Sequence, residues 1–171
     1  MRVIRHAFRW WTVLVPAAIL ALASAMPVAA AAGRTETGSF PIQDHFVDPG
    51  ASEECGFPVT ADLSGVLRYV LRFDADGNAV WIAVHIFREG TLSGNGVSLS
   101  EIDRDTQLID LTSGAMLDVG IVFRVQPPNG APVAFDRGLI RVGSDGSLEM
   151  VAGPHPALEG DLAALCVALG G

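Results

Sequence analysis

Lysine is absent from the 171 residues, which removes Schiff-base chemistry, a pyridoxal-phosphate anchor and the phosphate-reading lysine of a P-loop. Cysteine is nearly absent, with Cys55 and Cys166 alone. Neither has a C-x-x-C partner or a neighbouring histidine, so a thiolate metal site is not indicated. Aromatic platforms are scarce: beyond residue 32, Trp81 and Tyr69 are the sole tryptophan and tyrosine. Positive charge is scarce too, with eleven basic side chains against nineteen acidic. Three of the eleven are Arg2, Arg5 and Arg9, so residues 33–171 keep eight against nineteen, a net of −11. That balance repels phosphate backbones and anionic lipid. The remaining arginines are scattered singly, so neither nucleic acid nor, after signal cleavage, a membrane is expected as a partner.

What is present suits a folded chain: 50% hydrophobic and 18% charged residues place it outside the disordered class, and its length favours one domain. The N-terminus carries arginines, His6 and no acid, followed by an uncharged apolar stretch from Thr12 to Met26. Small residues then run from Val28 to Ala32. This is the pattern of a secretory signal, with cleavage expected after Ala30 to Ala32. Pro27 and the alanine run favour cleavage over an uncleaved anchor. Residues 1–32 are thus a signal peptide, and 33–171 a single secreted, extracellular domain. In an oxidising compartment Cys55 and Cys166, 111 positions apart, are expected to form a disulfide.

Short alternating or apolar runs separated by glycine-rich turns mark antiparallel sheet. Strands are expected at 40–47, 57–64, 66–73, 79–87, 97–102, 106–111, 115–125, 133–135, 138–142 and 148–152. Turns are expected at Asp74–Asn78, Gln126–Gly130 and Gly143–Gly146. Residues Arg88 to Gly96 form a polar, glycine-rich loop candidate, and Glu101-Ile102-Asp103-Arg104-Asp105 an acidic turn. In the tail, Asp161 can cap a short helix that places Leu162, Leu165, Cys166 and Leu169 on one face. The expected fold is all-β: an antiparallel barrel of about eight strands, or alternatively a two-sheet sandwich, with a short C-terminal helix.

Catalytic signatures are wanting. No G-x-S-x-G elbow occurs, and Ser93 lies in Ser93-Gly94-Asn95-Gly96 without an identifiable triad. His45, His85 and His155 fall on separate segments with no ligand spacing, so no metal or cofactor is expected. The polar cluster of Asp44, His45, Asp48, Glu53 and Glu54 reads as a solvated entry strand and loop. His155, flanked by prolines, reads as exposed. Asp74, Asp76 and Asn78 match positions 1, 3 and 5 of a calcium loop, but the glycine and the closing glutamate are misplaced. A hairpin turn explains them. Glu101, Asp103 and Asp105 form a second weak oxygen set, read likewise as a solvated turn.

The ordered set Asp44-x-Phe46, Cys55-Gly56-Phe57-Pro58-Val59, Asp76-Gly77-Asn78, Gly90-Thr91-Leu92, Phe135-x-x-Gly138, Asp145-Gly146, Gly153-Pro154-His155 and Leu165-Cys166-x-x-Leu169 resembles an uncharacterised family of small secreted actinobacterial β-rich proteins with two terminal cysteines. The resemblance implies an exported β-domain and assigns no activity. Three functional readings follow. The first is an extracytoplasmic binding or structural module. The second is a small barrel carrier or enzyme whose interior site is lined by Trp81, His85, Arg72 and Arg124, and which needs a pocket of about 300 Å³ or more with convergent polar groups. The third is a protein-binding module using the 88–96 loop. The expected ligand is accordingly a small molecule or a protein.

Overall fold

The structure, a computed structural model, describes residues 33–171. The expected signal peptide lies outside them. Seven strands follow in order: β1 (Thr35–Val47), β2 (Thr60–Phe73), β3 (Ala79–Gly94), β4 (Val97–Asp110), β5 (Met116–Gln126), β6 (Ala134–Val142) and β7 (Leu148–Ala152). Each pairs with the next, antiparallel, to give one meandering sheet in the order β1 to β7. The all-β expectation holds. Closure into a barrel and division into two sheets do not: β1 and β7 stand at opposite edges and the sheet stays open.

Several expected breaks are absent. Residues 57–64 and 66–73 are joined through Gly65 into β2, and β3 runs to Gly94, so the expected 88–96 loop shrinks to a two-residue hairpin. That hairpin, Asn95-Gly96, has both residues at positive φ, the geometry a tight β-turn requires. The expected acidic turn is likewise the middle of β4. Asp74–Asn78 is a turn as expected: Asp74 Oδ1 accepts the N–H groups of Asp76 (2.9 Å) and Asn78 (2.8 Å).

Two short helices, α1 (Pro49–Cys55) and α2 (Ala163–Ala168), cover one end of the sheet. Sequence reading placed a solvated loop where α1 lies. Asp48 caps it by accepting the Ala51 N–H at 2.9 Å, Pro49 opens it, and Gly56 closes it at φ 74°. The C-terminal helix forms as expected, although its cap is Leu162 and not Asp161. The Cys55–Cys166 disulfide joins the two helices with Cα atoms 5.1 Å apart. Ala51, Leu165 and Leu169 are thereby held in a core with Val59, Ala61, Leu63, Leu92, Leu99, Val125 and Ala134. A second core, at the other end of the same face, gathers Leu67, Leu71, Ile82, Val84 and Ile86. Reducing the disulfide is expected to lower unfolding stability by about 2–5 kcal/mol, because the released chain regains the entropy of a long loop. Urea titrations with and without reductant measure this; coincident curves would contradict it.

No helix among the described residues is long and apolar enough to cross a membrane.

Candidate functional site

Along each strand, the face that carries the two cores changes character midway. On β4, Leu99 joins the first core and Ile109 packs on the second, while Glu101, Asp103, Asp105 and Gln107 lie between them on the same side. On β3 the intermediate positions are Arg88 and Gly90, on β1 Asp44, on β5 Asp118 and Gly120, on β6 Asp136 and Gly138. A polar belt therefore crosses the sheet between two apolar ends. It is almost dry: Glu101 (1%), Asp103 (0%), Asp105 (6%), Asp118 (2%) and Asp136 (2%) are all buried.

Glycines in the belt let neighbouring backbones close together. A Cβ on Gly65 would fall 1.9 Å from the Phe87 carbonyl oxygen. Gly65 also pairs with Arg88 in register, so the guanidinium crosses β2 over a position with no side chain. Gly120, paired with Asp105, has φ +137°, and a Cβ there would lie 2.5 Å from the Arg104 carbonyl oxygen. Gly120→Ala combines this clash with a disfavoured backbone, and an unfolding loss of about 1–3 kcal/mol is expected. Chemical denaturation measures it, and an unchanged midpoint would contradict the close approach.

Arg88 organises one half of the belt. Its Nε and Nη2 donate to Asp103 Oδ2 at 3.0 and 2.6 Å, and its Nη1 donates to Asp44 Oδ2 at 3.0 Å. Even so, burial outweighs the guanidinium and raises the Asp103 carboxyl to about 6. Glu101 has no such partner; burial, then the Asp103 charge, raises it to about 8. Its Oε2 is without a hydrogen-bond partner, as suits a carboxyl that stays neutral.

The other half belongs to Asp105 and Asp118, whose carboxyls hydrogen-bond one another. Burial raises both, and two buried carboxyls in contact cannot both ionise cheaply, so the pair retains a proton well above the usual carboxylate range. Gln107 Nε2 donates to Asp118 Oδ2 at 3.3 Å. Beyond them, Asp136 Oδ1 accepts the N–H groups of Ala157 (3.1 Å) and Leu158 (3.4 Å), which ties the 153–162 segment down over the belt. Burial raises Asp136 to about 6.

A cleft of about 140 Å³ opens where this segment meets the belt. Ile86, Met116, Val122, Phe123, Leu158 and Leu162 give it apolar walls; Arg88, Asp105, Gln107, Asp118 and Asp136 supply polar groups. A register shift in β5 between Ile121 and Phe123 brings both Val122 and Phe123 to the cleft. The volume is below the 300 Å³ set for a drug-sized site, and matches the roughly 150 Å³ cavity that admits benzene in an engineered protein.

The four residues expected to line an interior lie elsewhere. Trp81 and His85 alternate with the buried Ile82, Val84 and Ile86, and so occupy the opposite face of β3. Arg72 pairs with Trp81 in register, and its side chain is exposed. Arg124 sits two strands away on β5, donating to Gln126 Oε1 at 2.6 Å. His85 Nδ1 meets Thr106 Oγ1 at 2.9 Å. The strand is apolar on both faces, and nothing in its pattern chooses which face turns inward. Arginines that look scattered in sequence also share this outer face, where Arg68, Arg72, Arg104, Arg137 and Arg141 are exposed.

Sequence reasoning missed the belt. Glu101, Asp103 and Asp105, expected as a solvated turn, lie in mid-strand, and their period-two spacing is the strand signal that marks them. His155, expected to be exposed, is 2% exposed, with Nε2 3.1 Å from the Ala152 carbonyl oxygen. Among the described residues, no three His, Cys, Asp or Glu side chains are disposed to hold a metal ion. No protein-family profile, curated protein or solved structure matches this chain.

Proposed function

We propose that this protein is an extracytoplasmic binding module for a small molecule, and that the cleft beneath residues 153–162 is its site. One observation carries the reading: apolar walls and convergent, dry carboxyls meet in one concave space, the usual composition of a small-ligand site. Export rests on the N-terminal charge and hydropathy pattern, with which the Cys55–Cys166 disulfide is compatible. The resemblance to secreted actinobacterial β-proteins agrees with that location. The extended form of residues 88–94 within β3 gives no support to a projecting protein-binding loop.

Ligand-observed NMR with a library of benzene-sized fragments tests the site. Fragments are expected to bind the wild type and to be displaced by Leu158→Trp, which fills the cleft from its edge. If no fragment binds, or if binding is indifferent to a folded Leu158→Trp variant, the proposed site is wrong.

A further inference from the structure

We propose that the outer face of the sheet, turned away from the cleft, docks an acidic polypeptide that presents carboxylates among apolar side chains. This surface is separate from the small-ligand site. The two helices and residues 153–162 pack on the other side, against the cores and the belt. Arg68, Arg72, Arg104, Arg137 and Arg141 stand exposed on the outer side. Among the described residues, ion pairs join Arg34, Arg88 and Arg141 to carboxylates, and none reaches Arg68, Arg72, Arg104 or Arg137. Residues 33–171 hold nineteen acidic side chains and eight basic ones. Four arginines without a carboxylate, gathered on one face of such a domain, mark a place where the anion comes from outside.

The face is not merely basic. Phe87 pairs in register with Val66 on one side and Arg104 on the other; Arg104 pairs with Ile121, and Ile121 with Arg137. Paired residues share a face, so a row of apolar groups and guanidiniums crosses the sheet from β2 to β6. At one strand spacing per step, Arg104 and Arg137 lie about 10 Å apart. Phe87 is 43% exposed, with the Arg68 guanidinium 5.9 Å from its ring centre, and Val119 is 43% exposed. A shallow groove beside Arg68, lined by Thr37, Ser39 and His85, gives a carboxylate room and donors. No acid interrupts this area: the outward positions of β2 from Val66 to Arg72, of β3 from Trp81 to Phe87 and of β4 from Arg104 to Leu108 carry none. Arginine and aromatic side chains among apolar neighbours, with Asp and Glu depleted, form the composition of a protein–protein interface. A phosphate polymer makes no use of Phe87 and Val119, and both it and an anionic bilayer meet the field of a domain with a net charge of −11.

An octapeptide alternating glutamate with leucine, and its counterpart with glutamine in place of glutamate, test this by protein-observed NMR titration of the disulfide-bonded full chain at neutral pH. The glutamate peptide is expected to bind about tenfold more tightly, through charge-assisted bonds to the guanidiniums. It should shift the amide signals of Phe87, Arg104, Ile121 and Arg137. Arg104→Gln combined with Arg137→Gln should remove that preference; both side chains are exposed, so the fold is retained. Equal binding of the two peptides, no binding of either, a preference that survives the double variant, or shifts confined to the opposite face overturns the assignment. Tighter binding to phosphatidylglycerol vesicles or to heparin than to the glutamate peptide overturns it too. A concentration-dependent dimer that the double variant abolishes gives the face to a second copy instead, and likewise overturns it. The small-ligand reading stands apart from all of these outcomes, because the cleft opens on the other side of the sheet.

Discussion

Arg88→Met is expected to destabilise the fold by about 3–5 kcal/mol at neutral pH, the usual consequence of removing one partner of a buried ion pair. Methionine keeps much of the aliphatic stem, so the loss reports on charge and hydrogen bonds more than on packing. Asp103 is fully buried, and its Oδ2 loses both guanidinium bonds; Asp44 loses one. Asp103 must then either ionise without a cation or take up a proton. Two further results follow. Arg88→Met combined with Asp103→Asn should lose less than Arg88→Met alone, since the stranded charge is gone. The single variant should also recover much of its stability near pH 5, where protonating Asp103 becomes easy. Denaturant titrations of the three variants check this, and a single-variant loss below about 1 kcal/mol would contradict the role given to Arg88.

Stability is expected to fall as pH rises from 5 to 9, opposite to a protein held by surface carboxylate ion pairs. Glu101 is raised to about 8, Asp103 and Asp136 to about 6, and the Asp105–Asp118 pair retains its proton above the ordinary range. In each case the folded state binds the proton more tightly than the unfolded chain does. The contribution is therefore complete below the unfolded values near 4 and is lost as pH climbs through 6 and then 8. Each such group contributes about 1.4 kcal/mol per pH unit between its two values, so the sum over this window is on the order of several kcal/mol. Asp74, Asp110 and Asp145 work in the other direction. Hydrogen bonds in exposed turns, from Asn78, Ser113 and Ser147 above all, lower them, so their contribution fades only as pH falls below about 4. Maximum stability is thus expected near pH 4–5. Glu101→Gln should flatten part of the alkaline limb. Thermal melts across pH 4–9 measure the profile, and a flat or rising profile between 5 and 9 would contradict the buried belt.

The sequence disclosed those parts of the fold that depend on local chemistry. Glycine, asparagine and aspartate marked the turns at 74–78 and 143–146, and the spacing of Leu165 and Leu169 marked a helix with one buried face. Faces and continuity were harder, because they depend on the partner strand. In β5, residues 116–120 turn Met116 and Asp118 inward although Leu117 and Val119 look like the core side; Val119 is 43% exposed. The register shift at Ile121/Phe123 then reverses the alternation, so Phe123 and Val125 face the core. A pattern read straight through the bulge assigns half the strand to the wrong face. The site was hidden by a sound general rule, that clustered charge is solvated. Here the rule yields because five strands contribute to one belt, whose glycines let the backbones close around Arg88 and the carboxyls. Glu101, Asp103 and Asp105 look like a surface turn until Asp118 and Asp136 are seen beside them.

The account stands on a belt of carboxyls kept out of water, among which Glu101 and the Asp105–Asp118 pair hold protons at neutral pH. Carbon-detected NMR of the Asp and Glu side-chain carboxyls, followed from pH 3 to 10, observes this directly. The account predicts carboxyl resonances titrating near 6 for Asp103 and Asp136, near 8 for Glu101, and a linked transition for Asp105 and Asp118 above the ordinary range. If every carboxyl instead titrated between about 3 and 5, as solvated side chains do, the dry belt and the cleft built on it would be contradicted.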